Sequence, residues 1–530
     1  MKLGIIKYLM FIFLLKLNKG KEKKFNMSDL RSVLRDLGGL FIIIGIVSLI
    51  ALVVPIYFGE FGKQFDGISP FLITSAFFLI IGTPLYLVFK KAETADFKSA
   101  MITAALGWLF ISAISAIPFI LIPYNKFTLE TMAPLSAFFE SMSGWTGTGL
   151  TMVGGGEANL PYALQFWRSF IQWVGGVGVI VLTLSILARP GTGSFVLYKG
   201  EARDKKTHPS IISTVRTIWW IFLLYSIIGI LILIIIGAIT DSGMNIWQSI
   251  NHGMTGLATG GFSVTSDSIT SFGAISQLAL IILMILGAIA FAAHYNLLKG
   301  RLKKFFSDAQ FKALIAIIIL GFFVLFLINF YDSNLNYGGN YLLAIKESGF
   351  QFTSAITCTG FASANIANWS DPSLLLISLA MIIGGAAGST AGGIKLFRAI
   401  LLYKGVGWRI KRAISTPRRV FVHKLGDKAL SKDDAMDLIN EAAIISFMWI
   451  ILLVIGFFII AIVEQESISN SIFEVCSAQG NVGLSVGVTK LNMEPISKVM
   501  LIINMWIGRL EIIPIIVLIK SMFGIRRNLI

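Results

Sequence analysis

Four short stretches carry residue types that could hold a bare cation. They are Thr146-Gly147-Thr148-Gly149-Leu150, Ala258-Thr259-Gly260-Gly261-Phe262, Cys358-Thr359-Gly360-Phe361 and Asn481-Val482-Gly483-Leu484. A dehydrated cation must find oxygens that replace its water and yet release it, and a ring of backbone carbonyls does both. Glycine suits such a ring because the backbone can aim its carbonyls inward with no side chain across the axis. The marking glycines, Gly149, Gly260, Gly360 and Gly483, recur at roughly a hundred residues, the period of a large internal repeat. A second mark follows each about 25 residues on: Gly175 and Gly176, Gly287, Gly384 and Gly385, Gly508. One Thr-Gly pair is an ordinary turn, but two linked marks in four copies are a repeated unit.

The elements that position these stretches are set by composition. Hydrophobic residues make up 55% of the 530 residues and charged residues 14%, with mean hydropathy +0.80. Soluble chains carry about a quarter charged residues, so this composition describes a polytopic membrane protein and excludes a soluble domain. The net charge of +16 sits in short segments between apolar runs, a positive-inside bias and not a nucleic-acid footprint. Cys358 and Cys476 form no CxxC, and the histidines are not paired at helical spacing, so neither structural zinc nor a disulfide framework is indicated. Cys358 reads as a small residue tolerated in its loop.

In chain order, residues 1–26 read as a basic cytoplasmic tail, or as an extension upstream of a start at Met27. A signal peptide is not indicated, because no small-residue cleavage site follows the apolar run and lysines cluster beyond it. Residues 27–95 form an N-terminal helix pair, with spans near Leu37–Phe58 and Pro70–Phe89. The four repeats follow at 96–200, 201–305, 306–408 and 433–530, with a basic cytoplasmic linker at 409–432. In each, a spanning helix leads to a short segment before the loop: Ala137–Gly144, Trp247–Gly253, Phe350–Ala355 and Ile472–Ser477. Two or three turns cannot cross a bilayer, so these segments read as half-helices that enter and return. Irregular backbone at that depth survives only inside protein or along a watery cavity. A half-helix also aims its partially negative C-terminal end at the loop, which favours a cation.

The exit helices read as continuous spans from Phe166 to Leu187, Leu278 to Lys299 and Val499 to Lys520, with a glycine-rich interruption in the third, Leu374 to Leu402. Lys90, Lys91 and Lys98, Arg203, Lys205 and Lys206, Lys299 to Lys304, Arg409 to Lys432 and Arg526-Arg527 all fall on one side if about ten spans leave both ends inside. The fold class is therefore all-α and polytopic: about ten transmembrane helices, four pseudo-repeats of helix, re-entrant loop and helix around a central axis, plus the N-terminal pair. The re-entrant loops then open from the outer face.

Two further features could act on an ion path. The third exit segment carries Gly384, Gly385, Gly388, Gly392 and Gly393 ahead of Lys395. It nearly matches a phosphate-binding loop, but Ile394 separates Gly393 from Lys395 and no strand precedes it, so that reading is rejected. So many glycines cannot make a stable continuous helix. Close small-residue helix packing is the alternative, and it suits Gly175 and Gly176 better than this longer run. Arg509 lies mid-span in the last helix, where a charge costs about 2.5–3.5 kcal/mol on insertion scales and must face the bundle interior or water. Its neighbour Glu511 stands two residues on, which puts the pair on different helix faces. Lys395 ends its span and reads as a snorkelling anchor.

These residues together resemble the Trk/Ktr/HKT superfamily of potassium transporters. The loops and the run from Gly384 to Lys395 carry the resemblance, which extends from about residue 30 to the end. Phe139-Glu140-Ser141-Met142-Ser143-Gly144, Trp167-Arg168-Ser169 with Gln172-Trp173, and Ala293-His294-Tyr295 narrow it to the TrkH branch, as does the N-terminal helix pair. The resemblance implies a potassium filter of Gly149, Gly260, Gly360 and Gly483 at the narrow part, with Gly147-Thr148, Ala258-Thr259, Cys358-Thr359 and Asn481-Val482 offering carbonyls below. Serine in the first loop accompanies sodium preference in that superfamily, so Gly149 implies potassium. Gly147 and Ala258 stand where threonine or serine is common, and the fourth loop lacks threonine. By the same resemblance the glycine-rich loop obstructs the path below the filter and moves on opening, with Arg509 beside it as an electrostatic barrier.

The resemblance further implies potassium uptake across the cytoplasmic membrane, a homodimer, and gating by a cytoplasmic nucleotide-binding ring subunit. No cofactor is expected in this chain, potassium being the substrate, and no nucleotide site or nucleic-acid contact is indicated. The basic segments Lys299–Lys304 and Arg409–Lys432 either dock such a ring or set orientation and touch lipid. Two rivals stand beside this reading. One is a sodium-permeable or weakly selective cation channel, against which the complete set of filter glycines argues. The other is an intramembrane hydrolase using Ser389 with His294, which the lack of GxSxG, HExxH or clustered acids in the spans disfavours.

Overall fold

In the computed structural model, the structure describes residues 27–62, 66–93, 95–154, 156–178, 211–332, 337, 340–416, 423–425 and 428–523. The basic tail, the end of the first exit segment, Arg203 to Lys206 and Arg526-Arg527 lie outside the described residues. The fold is mostly helical, and one short hairpin, His423–Leu425 with Lys428–Leu430, falls in the basic linker.

Long apolar sequence makes the outer layer. Among the described residues six helices are long and apolar enough to cross a membrane: Asp29–Phe58, Ser69–Phe89, Lys98–Leu121, Val215–Ile239, Ala309–Tyr331 and Lys432–Val463. Their surfaces carry exposed Ile80, Val88, Trp220, Ile239, Leu320 and Ile462, which suit lipid and not water. The first two pack tightly because Gly38 and Gly82 face each other: a Cβ on Gly82 would meet Phe41 Cβ at 2.8 Å and the Gly38 oxygen at 2.9 Å. This pair lies against the helix that begins at Phe97.

The half-helices make the inner layer. They run Pro134–Thr146, Ile246–Leu257, Tyr341–Ile356 and Ile468–Gln479, somewhat longer than the sequence predicts but, at about 1.5 Å per residue, still short of a bilayer. Each start has a local cause. Proline occupies the first turn of the first half-helix, where no N–H is needed. Asn245 with Gln248 forms a capping box on the second, and Asn340 and Ser467 cap the third and fourth. Nearly every residue in the last turns is buried, hydroxyls and carboxylates included. Indole donors tie the layers: buried Trp108 Nε1 donates to the Trp145 carbonyl and buried Trp167 Nε1 to that of Ser115, and half-buried Trp506 Nε1 to that of Ala105.

The exit segments differ from the continuous spans expected of two of them. After the second loop, Ala274–Ala288 and Phe291–Leu298 meet at a bend of 106°, and after the fourth, Pro495–Leu510 and Ile513–Met522 meet at 112°. The third breaks at its glycine-rich run, between Asp371–Ile383 and Leu396–Ala413. The helix after the first loop, Tyr162–Val177, stops at Gly178. At the fourth break Glu511 and Ile512 take φ of +59° and +72°, a costly conformation for branched or bulky residues that the surrounding packing imposes.

Candidate functional site

The four loops share one backbone. Left-handed φ falls on Gly147 and Gly149 in the first, Cys358 and Gly360 in the third, Asn481 and Gly483 in the fourth. In the second it falls on Thr259 and Gly261, at +50° and +74°. Hydrogen bonds give the same register. The N–H groups of Thr148, Gly260, Thr359 and Val482 donate to the carbonyls of Ser143, Thr255, Ser354 and Ser477 at 2.8, 2.8, 2.9 and 2.9 Å. Gly261 is thus the counterpart of Gly149, Gly360 and Gly483, and Gly260 the counterpart of Thr148. The sequence marks Gly260 instead, with Ala258-Thr259 below it. In the structure the corresponding set is Thr259-Gly260-Gly261, and Ala258 caps the half-helix.

The glycines close a ring. An ideal Cβ on Gly149 would stand under 3.0 Å from the carbonyl oxygen of Gly260, and one on Gly261 equally close to that of Thr359. Gly360 stands so against the Val482 carbonyl and Gly483 against that of Thr148. Each loop therefore leans on the next and the fourth on the first. Positive φ and lack of room both require glycine here. The result gathers four backbone carbonyls, the donor set a dehydrated cation needs.

Buried polar side chains hold the ring from behind. Ser143, Ser354 and Ser477 accept from the N–H of Gly149, Gly360 and Gly483 at 3.0, 3.1 and 2.9 Å. Three residues before these hydroxyls, and before Thr255, stand Glu140, Gln351, Glu474 and His252, all fully buried. Glu140 accepts from the Met152 N–H at 2.8 Å and from Arg168 Nε at 2.7 Å. Arg168 also donates to the Ser263 carbonyl at 2.8 Å and lies 4.1 Å from the centre of the Phe262 ring. Glu474 accepts from Ser485 and the Thr489 N–H, Gln351 from the Ser363 N–H, and His252 Nε2 faces Ser263 Oγ. A buried charge or amide is tolerated only when bonded in this way. Sequence reasoning used Glu140 and Arg168 only as resemblance and missed the other three. The signal was present: a polar residue recurs three places before a small hydroxyl in every copy.

The second glycine marks are sites of close approach. A Cβ on Gly175, Gly287 or Gly508 would stand under 3.0 Å from the carbonyl oxygen of Trp145, Leu257 or Gln479, the penultimate or last residue of each half-helix. Gly384 and Gly385 instead open the glycine-rich loop, where Gly384, Gly388 and Gly393 have φ of +69°, +77° and +78°.

That loop is stitched beneath the ring. Gly393 N–H donates to the Gly480 carbonyl at 3.0 Å, Thr390 N–H to that of Gly287 at 3.1 Å, and Ala386 N–H to that of Ala288 at 3.0 Å. Gly392 lies so close to Gly480 that no side chain fits there. Thr259 Oγ1 donates to Thr390 Oγ1 at 3.0 Å, which joins loop and ring directly. Arg509 donates to the carbonyls of Thr390, Gly175 and Gly176. Glu511 pairs with Arg398. Lys395, half-buried, folds back onto the Ala391 carbonyl instead of reaching outward. Ser389 Oγ donates to the Ala386 carbonyl, whereas His294 Nε2 faces the carbonyl of Leu286. Each thus has a backbone partner of its own.

Comparison with known proteins follows from this geometry. The profile of the family described as TrkH, cation transport protein, matches residues 67–524. A protein of Methanocaldococcus jannaschii named as an uncharacterized cation transporter is 36% identical over 499 residues, covering 93% of this chain and 96% of that one. The Trk system potassium uptake protein TrkH of Escherichia coli is 33% identical over 513 residues, covering 93% and 99%. The crystal structure of the potassium transporter TrkH from Vibrio parahaemolyticus superposes with a TM-score of 0.77 at 26% identity, again covering 93% and 99%.

Proposed function

Because the chain belongs to the TrkH family of cation transport proteins, a transporter family and not an enzyme family, we propose that this multi-pass membrane protein takes up potassium through a channel-like path. The observation that carries the proposal is the closed ring in which Gly149, Gly261, Gly360 and Gly483 each abut a carbonyl of the next loop. The carbonyls of Thr148, Gly260, Thr359 and Val482, with those of Gly147, Thr259, Cys358 and Asn481 below, replace the water of an entering potassium ion. Four half-helix C-termini add negative potential at the same place. The ion moves down its electrochemical gradient, and the chain supplies oxygens and no bound cofactor.

The glycine-rich loop from Gly384 to Gly393 is the gate in this reading. Arg509 closes it, holding Thr390 and placing a fixed positive charge beneath the ring, against the passage of a cation. The four units at 96–200, 201–305, 306–408 and 433–530 each supply one loop, and both termini face the cytoplasm in the cytoplasmic membrane. The working form is a homodimer on a cytoplasmic nucleotide-binding ring, with Lys299–Lys304 and the linker 409–432 on the docking side. Rubidium uptake into proteoliposomes tests the function, with potassium and sodium as competitors. Potassium competing far better than sodium supports it, and equal competition favours the weakly selective cation channel.

A further inference from the structure

Ring position two differs from the others. Thr148 and Thr359 pair their hydroxyls with Thr146 and Thr357 at 2.7 and 2.8 Å, and position four is Val482. Gly260 has no side chain, and a different residue fills the space. Gln172, fully buried on the exit helix of the first loop, reaches into the second: a Cβ on Gly260 would stand 2.5 Å from its amide carbon. Its Nε2 donates to the Gly260 carbonyl at 2.6 Å, and its Oε1 accepts from the Phe262 N–H at 3.0 Å. The two partners fix the amide orientation, because one only accepts and the other only donates. The side chain therefore brackets Gly261 as a neighbouring β-strand would. Three residues before Gly287, Gly384, Gly385 and Gly508 stand Met284, Met381, Ile382 and Met505, none with an amide, so the counterpart places in the other repeats supply no such clamp.

Building on the potassium reading above, we propose that Gln172 is a positioning residue that sets ion preference by holding the Gly260 carbonyl. A carbonyl oxygen has two lone pairs, so Gln172 can engage one of them and leave the other for an ion. That bond restrains the oxygen at the ring radius and opposes its closing on a smaller cation. Without it, the second loop moves inward for sodium, and the preference for potassium declines although the path stays open.

The test compares potassium and sodium competition against rubidium uptake in proteoliposomes for the whole chain and three variants. Gln172→Met keeps the side-chain size and removes both bonds. Gly260→Ala disturbs the same contact from the other side; Gly260 lies outside the left-handed region and the atoms nearest its Cβ belong to the Gln172 amide and not to backbone. Gln165→Met removes another buried amide of the same helix, one bonded to Glu157, Leu160 and Trp247 away from the ring. The expected result is a potassium-to-sodium ratio lowered by about fivefold in Gln172→Met and Gly260→Ala, the worth of one hydrogen bond, and unchanged in Gln165→Met. A wild-type ratio in whichever of the first two variants folds overturns the inference, as does an equal fall in Gln165→Met. If the wild-type chain itself does not prefer potassium, the functional reading has failed first.

Discussion

Arg509 donates from Nη1 to the Thr390 carbonyl at 3.0 Å and from Nη2 to those of Gly175 and Gly176 at 2.6 and 2.9 Å. One guanidinium thus ties the glycine-rich loop to the last turn of the helix Tyr162–Val177. Charged donors on backbone carbonyls are among the stronger hydrogen bonds. Arg509→Ala removes the three bonds and the fixed charge together. Rubidium uptake without any partner should rise by about tenfold or more, equivalent to ~1.4 kcal/mol of barrier. Unchanged or lower uptake by folded protein would argue that Arg509 is a strut and not part of a gate.

The register of the second loop gives a sharper test. Gly261 has φ of +74° and its Cβ would strike the backbone of Thr359, whereas the Cβ of Gly260 would meet the Gln172 side chain first. Gly261→Ala should abolish uptake, and Gly260→Ala should keep it with altered ion preference. The opposite ranking would return the ring position to Gly260.

Much of this arrangement was legible in the sequence, and the exceptions have physical causes. The loops, half-helices and glycine-rich interruption all follow from glycine spacing within apolar runs. Register failed at Gly260-Gly261 because adjacent glycines offer two equally permissive positions, and only the folded loop, through its φ angles and the hydrogen bond to Thr255, chooses between them. The sharp bend at Ile289-Ala290 carries neither proline nor glycine, whereas Pro514, in the first turn after the bend at Glu511-Ile512, was a local signal that the reading of a continuous span passed over. Contacts with the glycine-rich loop hold the first: Ala288 accepts from Ala386, and Phe291 donates to the Gly388 carbonyl. Tertiary bonding, and not propensity, breaks that helix. Lys395, read as a snorkelling anchor, instead bonds the loop carbonyl of Ala391, a partner that spacing along the chain does not reveal.

The second glycine marks can be weighed on stability alone. Gly175→Ala, Gly287→Ala and Gly508→Ala each push a Cβ into a half-helix carbonyl, and overpacking of that kind costs about 1–3 kcal/mol. Thermal unfolding in detergent should show all three melting below the wild type. Gly407, helical with open space around its Cβ, supplies the control: Gly407→Ala should be neutral or stabilising by up to about 1 kcal/mol. Equal effects at all four positions would mean that close approach is not what these glycines provide.

Glu140 and Arg168 form a pair with almost no exposure, 0% and 1% of their side chains, linking the first half-helix to the carbonyl of Ser263 beyond the second loop. Breaking one partner of a buried pair strands the other, at about 3–5 kcal/mol. Glu140→Gln and Arg168→Met should each lower the melting temperature strongly. Their combination should cost less than the sum, because neither charge is then left alone. Additive losses in the double variant would mean that the two residues act separately.

A glycine-lined carbonyl ring that prefers potassium should show itself in ion competition at Gly149. Rubidium uptake into proteoliposomes would be measured with potassium or sodium as competitor, for the wild-type chain and Gly149→Ser. Gly149 has φ of +93°, and any Cβ there falls on the Gly260 carbonyl. The account predicts strong competition by potassium, weak competition by sodium, and a marked loss of that difference in the variant. Equal competition by the two ions in the wild type, or a Gly149→Ser protein with unaltered preference, would contradict it.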